Sequence, residues 1–331
     1  MIEKLSIQNF KSIRKLEIPC ERLNIFIGEP NVGKSNILES LGLFSYPYLS
    51  SLPQFGEMAR FENFADMFYD SDVSKPIEIN AIEGSGLSNK LRIQHEGGRF
   101  AGHLQIGGAS HAMKKEFEAA ADGLVQTSSS RRESGIKFYK FPSKATFGSK
   151  EFDYLRPMDG GNLPWILQIN KELRTMAAAL FQKRGLELAV NPQRNEISVQ
   201  KKQDGLVVNH PYSSASDTLR RFIFHLAAVR TNKNSAIIIE EPESHAFPYY
   251  TRLLAEDMAK DSNGNQYFVS THNPYFLFPF LYKAPKNETA VFLTIMQGYE
   301  TQVHRLSGEQ IQEAMEMDAD LFFNFDQFFP A

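Results

Sequence analysis

The chain opens with three short segments whose pattern of hydrophobic and polar residues predicts strands. The first two, KLSIQNF and RKLEIPC, alternate apolar and polar positions, as half-buried antiparallel strands do. The third, LNIFIGE, is an almost continuous apolar run, which is typical of a central, buried strand. The next segment, GKSNILESLGLFSYP, predicts a helix because its apolar residues recur at helical spacing. The apolar face of this helix is formed by Ile37, Leu38, Leu41 and Phe44.

The middle of the chain changes from strands to a mixed pattern. Between residues 76 and 106, three alternating runs separated by glycines predict β-hairpins. Beyond them, HAMKKEFEAAADGL and LPWILQINKELRTMAAALFQKRG have helical spacing, whereas QTSSSRRESG is typical of a loop. We therefore predict a mainly helical insertion at 109–204, between an N-terminal lobe at 1–108 and a C-terminal lobe at 205–331.

The last third of the chain predicts alternating strands and helices. SDTLRRFIFHLAAVRTN has a helical apolar face, with Ser216 as a candidate N-cap. SAIIIEEPE and NQYFVSTHNP are buried strands that end in polar residues, and PYYTRLLAEDMAKD between them is helical. One or two edge strands and a terminal helix complete the pattern. The fold class predicted is α/β, with a mixed central sheet, flanking helices and an antiparallel β subdomain.

The composition narrows the class of protein. Hydrophobic residues make up 42% and charged residues 23%, as in ordinary globular proteins. The net charge of -3 gives no global basic field that would attract nucleic acid. No apolar run approaches the roughly 20 residues of a membrane helix, and the N-terminus lacks the apolar region of a signal peptide, so we expect a cytoplasmic protein. The single Cys20 excludes an intramolecular disulfide and a cysteine-based metal cluster.

The stretch FIGEPNVGKSN carries the clearest chemical signal. Its spacing Gly-x-x-x-x-Gly-Lys-Ser, between a buried strand and a helix, predicts a phosphate-binding P-loop for a nucleoside triphosphate. In such a loop, glycines let backbone N–H groups face phosphate oxygens at a helix N-terminus. We expect Lys34 to reach the β- and γ-phosphates and the Ser35 hydroxyl to bind Mg²⁺. The predicted nucleotide-binding residues are Gly28, Glu29, Pro30, Asn31, Val32, Gly33, Lys34, Ser35 and Asn36.

Three further segments place polar residues where the same ligand could reach them. Glu240 and Glu241 end a buried strand, and they could support Mg²⁺ and orient or deprotonate the attacking water, respectively. His272 follows the next apolar strand and could contact a γ-phosphate. Ser216 and Asp217 begin a helix, whose N-terminus favours anions. Taken singly, each has an ordinary alternative: solvated acids after a strand, a structural histidine and a plain helix N-cap.

The order of these elements resembles that of ABC-type ATPases, and in particular their SMC/RecF/OLD-like branch. IQNFKSI resembles the opening of that branch, GEPNVGKSN its Walker A motif, and EEPESHAFP its Walker B motif and D-loop. STHNP is similar to its switch-histidine segment and SASDTLRR to its signature motif. The resemblance extends over about residues 1–80 and 205–280 and is weak between them.

The resemblance implies a mechanism that spacing alone does not. Members of this branch close head-to-tail on two ATP molecules, so a homodimer or a multiple of dimers is expected. Ser216 would contact the γ-phosphate bound by the other subunit, Glu241 would be the catalytic base and His272 the γ-phosphate sensor. The chain departs from the usual pattern in having Glu240 in place of Asp and no glycine after Ser216. The glutamine of the Q-loop, for which Gln54 and Gln94 are candidates, remains unassigned.

The resemblance also suggests what the ATPase acts on. Only 59 residues follow His272, too few for the Toprim nuclease domain of many OLD-like proteins, so an effector activity is expected in a separate nuclease or toxin. Asp318 and Asp320 resemble a pair of metal ligands, but an acidic tail is the simpler interpretation. We expect an anti-phage defence ATPase. The alternatives are a DNA repair or maintenance ATPase, a scaffold that binds ATP without hydrolysis and, less favoured, a transporter subunit.

Two segments could contact partners. Residues 131–150 combine basic and aromatic side chains, which suits DNA or RNA, although a solvated loop with a few core aromatics explains them as well. The tail from Leu306 is acidic and rich in phenylalanine, and it either caps the core or docks on a partner. For the tail we favour the core cap.

Overall fold

The computed structural model describes residues 1–48, 54–107, 112–122, 124–127, 134–142, 144, 146–317, 324 and 328. Its strands are β1 (Ile2–Phe10), β2 (Ile13–Pro19), β3 (Leu23–Ile27), β4 (Ile77–Glu83), β5 (Ser88–Glu96), β6 (Arg99–Gln105), β7 (Lys114–Ala119), β8 (Val125–Thr127), β9 (Ile136–Tyr139), β10 (Glu187–Asn191), β11 (Glu196–Gln203), β12 (Leu206–Pro211), β13 (Ala236–Glu240), β14 (Gln266–Ser270), β15 (Thr289–Gln297) and β16 (Glu300–Arg305). Its helices are α1 (Lys34–Gly42), α2 (Gln54–Met58), α3 (Leu163–Ile169), α4 (Lys171–Gln182), α5 (Asp217–Thr231), α6 (Pro248–Ala259), α7 (Pro274–Lys283) and α8 (Gly308–Met317).

The core sheet has the strand order β16-β15-β3-β14-β13-β9. Only the β15–β16 pair is antiparallel, and the other pairs are parallel. All five residues of β3 are buried, as the continuous apolar run predicts for a central strand. Because β3, β13, β14 and β9 run in the same direction, their carboxyl ends meet at one edge of the sheet. Ligands bind at such edges in parallel α/β sheets.

Two apolar cores lie on opposite faces of the core sheet. Alternation along β3 sends Ile25 and Ile27 to one face, where they join the core beneath α3 to α7. Phe26 points to the other face and packs with α1 and the N-terminal sheet, where its ring stacks on Phe292 with centroids 5.1 Å apart. The seven-stranded N-terminal sheet has the order β2-β1-β4-β5-β6-β7-β8 and is antiparallel throughout. It confirms the predicted antiparallel subdomain.

The stretch 109–204 contains more strands than the sequence predicts. HAMKKEFEAAADGL, predicted as a helix, contains β7, because Phe117 and Ala119 are buried against the N-terminal sheet and β7 pairs with β6 and β8. LPWILQINKELRTMAAALFQKRG does form helices, α3 and α4, as predicted. Strand β9 joins the core sheet beside β13, and β10, β11 and β12 form a small antiparallel sheet. The predicted loop QTSSSRRESG lies mostly outside the described residues.

The basic stretch at 131–150 is not a continuous surface. Lys137 is 5% exposed within β9, where its Nζ donates a 2.7 Å hydrogen bond to Asn232 Oδ1 and lies over the ring of Tyr154. Phe138 and Tyr139 are fully buried. These three side chains are therefore not exposed to nucleic acid, and the two aromatic residues belong to the core, as the alternative interpretation expects. Arg131 and Arg132 lie outside the described residues.

The described end of the chain agrees with a core cap. Phe328 is 2% exposed and belongs to the core beneath α5 to α7, and its carbonyl accepts a 3.3 Å hydrogen bond from Gln310 Nε2. Asp318, Asp320 and the other phenylalanines of the tail lie outside the described residues. None of the helices in the described ranges has the length and apolar character needed to cross a membrane.

Candidate nucleotide-binding site

The loop between β3 and α1 has a backbone that requires glycine at two positions. Gly28 and Gly33 have φ angles of 143° and 96°, values that other residues rarely adopt. A Cβ at Gly28 would lie 2.2 Å from the carbonyl oxygen of Thr294, and one at Gly33 would lie 1.9 Å from Thr301 Oγ1. The loop therefore packs directly on β15 and β16, and its shape depends on the absence of side chains at these glycines.

Lys34 lies inside this loop. The residue is 6% exposed, and its Nζ donates hydrogen bonds of 2.7 and 2.6 Å to the carbonyl oxygens of Gly28 and Glu29. Burial lowers the pKa of Lys34, and the negative charges of nearby glutamates, Glu241 first among them, oppose that shift. The ammonium group thus stands at the carboxyl end of β3, within the loop that would surround phosphates.

Side chains from two distant segments, the β1–β2 turn and β16, support the loop. Thr301 Oγ1 donates a 3.0 Å hydrogen bond to the carbonyl oxygen of Val32 and lies 2.6 Å from Ser12 Oγ. Asn36 Nδ2 donates a 2.6 Å hydrogen bond to the same Ser12 oxygen. The Asn36 amide, predicted as part of the nucleotide site, therefore contacts the β1–β2 turn and ties α1 to it.

Ser35 and Glu240 come together at the edge of the core sheet. Ser35 Oγ donates a hydrogen bond to Glu240 Oε1, so the first turn of α1 touches the end of β13. Arg60 Nη2 lies 3.1 Å from the same carboxylate oxygen. Magnesium prefers oxygen ligands and usually combines one or two protein oxygens with phosphates and water, so this oxygen pair fits the ion. Among the described residues, no group of three or more His, Cys, Asp or Glu side chains forms an alternative metal site.

Glu241 and His272 face each other beside this pair. His272 Nδ1 lies 3.3 Å from Glu241 Oε1, and Ser244 Oγ donates a 3.2 Å hydrogen bond to the other oxygen of Glu241. Glu241 has a φ of 42°, a left-handed conformation that turns the chain sharply after β13. The side chains of Glu241 and His272 are 36% and 56% exposed, so an incoming ligand can reach both.

Ser216 is the N-cap residue of α5, as predicted, but its hydroxyl makes no capping hydrogen bond to the helix. The residue is exposed. Asp217 accepts hydrogen bonds of 3.0 and 2.6 Å from Arg220 Nη2 and Arg221 Nε, which hold its carboxylate against the first turns of the helix. The serine hydroxyl is thus displayed at the start of α5.

An open cleft of about 640 Å³ connects the loop, the carboxylates and α5. Three basic side chains also line this cleft: Arg60, Lys140 and Arg221. Lys140 directly follows β9, the neighbour of the Walker B strand. Gln94, a candidate for the Q-loop glutamine, lies instead in β5, where its amide hydrogen-bonds Glu96; the side chain of Gln54 is outside the described set.

Family comparison agrees with this geometry. Residues 1–183, more than half of the chain, match the family described as "AAA ATPase domain". The chain belongs to the AAA ATPase domain family. Residues 167–277 match a second family, described as "AAA domain, putative AbiEii toxin, Type IV TA system". No curated protein gives a significant match to the sequence.

Solved structures of SMC heads share the fold of this AAA ATPase. An SMC head bound to the C-winged helix domain of ScpA has a TM-score of 0.55 and 14% identity, covering 94% of this chain and 99% of that one. An Smc head domain with an extended coiled coil, bound to the C-terminal domain of ScpA derived from Pyrococcus furiosus, has a TM-score of 0.51 and 12% identity, covering 95% and 98%. The SMC/ABC-like P-loop ATPase fold expected from the motif order is therefore confirmed.

For several residues of this AAA ATPase, the neighbouring sequence does not indicate that they lie at the candidate site. Arg60 lies in an ordinary polar stretch, whereas Lys140 and Arg221 lie in segments noted for other reasons, the basic stretch at 131–150 and SASDTLRR. The pairing of β9 with β13 and the position of α5 bring Lys140 and Arg221 to the same cleft as Arg60. Thr301 and Ser12 support the loop from strands and turns far from it in sequence.

Proposed function

We propose that the protein binds ATP with Mg²⁺ and hydrolyses it to ADP and phosphate. The observation that carries the proposal is the contact between Ser35 and Glu240, which joins the P-loop helix to the Walker B strand. Lys34 stands at the same edge of the sheet. Family membership supports nucleotide chemistry of this kind.

Each residue has a role that follows from its position. The loop amides and Lys34 bind the phosphate chain. In this structure the Lys34 ammonium donates hydrogen bonds to the carbonyl oxygens of Gly28 and Glu29, and phosphate oxygens would take the place of these acceptors. Ser35 and Glu240 would hold Mg²⁺, which would neutralise phosphate charge when bound. Glu241 orients the attacking water and accepts its proton, because its carboxylate is accessible beside the phosphate-binding loop. His272 contacts the γ-phosphate from the neighbouring strand end.

The proposed active form is a head-to-tail dimer. Within one chain, the wall of the cleft contains Arg221 and His225 of α5, while the Ser216 hydroxyl lies exposed and uncapped at the start of that helix. A second protomer would bring this hydroxyl and the helix N-terminus to the γ-phosphate bound by the first. An anion held between two helix N-termini and a lysine is well neutralised only when both protomers are present.

The test is steady-state phosphate release by the purified wild type and by Glu241→Gln. We expect turnover that depends on Mg²⁺ in the wild type and a loss of at least about 100-fold in the variant, which keeps the shape of the side chain but not its basicity. Binding without any turnover in the wild type would instead favour an ATP-dependent assembly scaffold. Full turnover by the variant would remove Glu241 from the mechanism.

We further propose that ATP-driven closure controls a separate effector, a nuclease or toxin, in cytoplasmic anti-phage defence in bacteria. The match of residues 167–277 to a family whose description names a toxin–antitoxin system supports this role. DNA repair or maintenance is the alternative, and the SMC-head fold is compatible with it. Phage plating on bacteria that carry the gene with its chromosomal neighbours tests the proposal. We expect protection by the wild type and none by Lys34→Ala; equal plating on cells with and without the wild-type genes would reject defence.

A further inference from the structure

Glu243 is a buried carboxylate just beyond the two catalytic-site acids. It is 4% exposed and lies in the tight turn that follows β13. Backbone hydrogen bonds from Ser244 N to Glu241 O, 2.9 Å, and from Ala246 N to Glu243 O, 2.8 Å, hold this turn. A buried carboxylate is costly unless hydrogen bonds satisfy it, so its partners indicate what it does.

The partners of Glu243 lie in the segment that carries the switch histidine. Glu243 Oε1 accepts a 2.5 Å hydrogen bond from Thr271 Oγ1 and a 3.3 Å hydrogen bond from the backbone N–H of His272. Thr271 is fully buried, so water does not compete for its hydroxyl. The second oxygen, Oε2, is buried and has no hydrogen-bond partner among the described residues.

These hydrogen bonds join the turn after β13 to the segment after β14, beyond the last residues that the sheet pairs. Strands β13 and β14 are paired up to Glu240 and Ser270, and Glu241 N still donates a 3.1 Å hydrogen bond to the carbonyl oxygen of Ser270. Beyond Glu241 and Ser270, both segments of the chain leave the sheet. Glu243 then carries the connection, directly behind the pair formed by Glu241 and His272.

We propose that Glu243 is a positioning residue that fixes the His272 segment against the turn bearing Glu241. The inference rests on the proposed ATP hydrolysis, because it assigns the γ-phosphate contact to His272 and the water to Glu241. With Oε1 held by Thr271 and His272 N, the two reacting-site side chains keep one relative geometry while nucleotide enters. A displacement of about 1 Å at such a site can cost about 100-fold in rate.

A purely structural carboxylate would behave differently. Removal of such a carboxylate would lower the stability of the turn, and ATP affinity and turnover would fall together with the folded fraction. A positioning residue affects the rate of the chemical step and leaves ATP affinity intact, because phosphate binding rests on the P-loop. The partner Thr271 offers an independent test of the same bond from the other strand.

The experiment compares four single variants and one double variant in single-turnover ATP hydrolysis, equilibrium ATP binding and thermal unfolding. Glu243→Leu and Thr271→Val remove the bond, and Thr271→Val keeps the shape of the side chain. Glu243→Gln and Thr271→Ser are the matched controls that retain an acceptor and a hydroxyl. We expect the first two to slow the chemical step by about 10- to 100-fold with ATP affinity within about twofold of wild type. The two controls should keep at least about a third of the wild-type rate, and the double variant Glu243→Leu/Thr271→Val should be no slower than the slower single variant.

Other results would overturn the inference. Wild-type rates in Glu243→Leu and Thr271→Val, or rates that fall only in step with ATP affinity, would show that Glu243 does not position His272. If Glu243→Leu fails to fold, Thr271→Val with its Ser control decides the matter alone. A wild type without hydrolysis rejects the proposed function and this inference together, whereas hydrolysis with unaffected variants rejects only the inference.

Discussion

Ser35 and Glu240 are hydrogen-bonded although 205 residues separate them in sequence. The bond joins the first turn of the P-loop helix to the end of the Walker B strand and places two oxygen ligands side by side. Arg60 also binds this carboxylate, 3.1 Å away, and its Nε lies 2.8 Å from Glu39 Oε1. The carboxylate of Glu240, at the end of β13, therefore contacts both Ser35 of the P-loop helix and the side chain of Arg60.

Lys34→Ala should abolish tight nucleotide binding. The variant removes a buried ammonium group from the loop, and we expect ATP affinity to fall by at least about 100-fold, as for the loss of a charge-assisted phosphate contact. Isothermal titration with ATP and Mg²⁺ measures the effect. Lys260→Ala, at an exposed lysine of the α6 C-terminus, is the control and should bind like wild type. An unchanged affinity in Lys34→Ala would refute the P-loop assignment.

Gly33→Ala should deform the loop and weaken both stability and nucleotide binding. The new Cβ would meet Thr301 Oγ1 at 1.9 Å, and the φ of 96° is unfavourable for alanine. We expect a loss of about 2 kcal/mol or more in unfolding free energy and a large loss of ATP affinity. Gly56→Ala is the matched control, because a Cβ there meets no atom within 4 Å. Chemical denaturation of both variants would show the difference, and equal stabilities would contradict it.

Lys11→Met should destabilise the fold more than an exposed lysine does. Lys11 pairs with Glu39, whose side chain is only 2% exposed, so the substitution leaves a buried carboxylate with Arg60 alone. Breaking such a buried pair costs about 3 kcal/mol. The control is Lys4→Met in β1, since the Lys4–Glu17 pair is exposed and solvent screening leaves it little effect on stability. Similar losses for both variants in urea unfolding would show that the burial of Glu39 has no energetic consequence.

Glu243 should make stability fall as the pH rises towards neutrality. Burial raises the pKa of Glu243 from 4.5 to about 7. Between these values the unfolded chain has lost the proton and the folded chain still holds it, so the fold loses stability as pH rises through this window. Glu243→Gln removes the effect. Its stability relative to wild type should therefore grow by up to about 3 kcal/mol between pH 4.5 and 7.5. Parallel pH curves in denaturant unfolding would contradict this.

Local patterns were sufficient to predict the elements that carry the motifs. The strands β3, β13 and β14 are each five residues long and buried except for Glu240, and each ends at its motif residue or directly before it: Gly28, Glu240 and Thr271, respectively. Strand burial and turn chemistry are encoded within a few residues, so these predictions did not depend on distant contacts.

The remaining parts depend on tertiary pairing. Strand β9 was not recognised, because its four residues become a strand only beside β13. Its position explains both the buried Lys137 and the placement of Lys140 in the cleft. Strand β7 was mistaken for a helix because the local pattern does not reveal its pairing with β6 and β8.

The solution mass of Glu241→Gln, with and without ATP and Mg²⁺, tests the central claim most directly. Sedimentation velocity should show one mass without nucleotide and a dimer, or a multiple of dimers, when ATP is bound and hydrolysis is blocked. Ser216→Arg on the same background should bind ATP and remain undimerised, since a bulky cation at the start of α5 would obstruct the second protomer. An ATP-saturated Glu241→Gln protein whose mass does not change would contradict ATP-dependent closure between two heads.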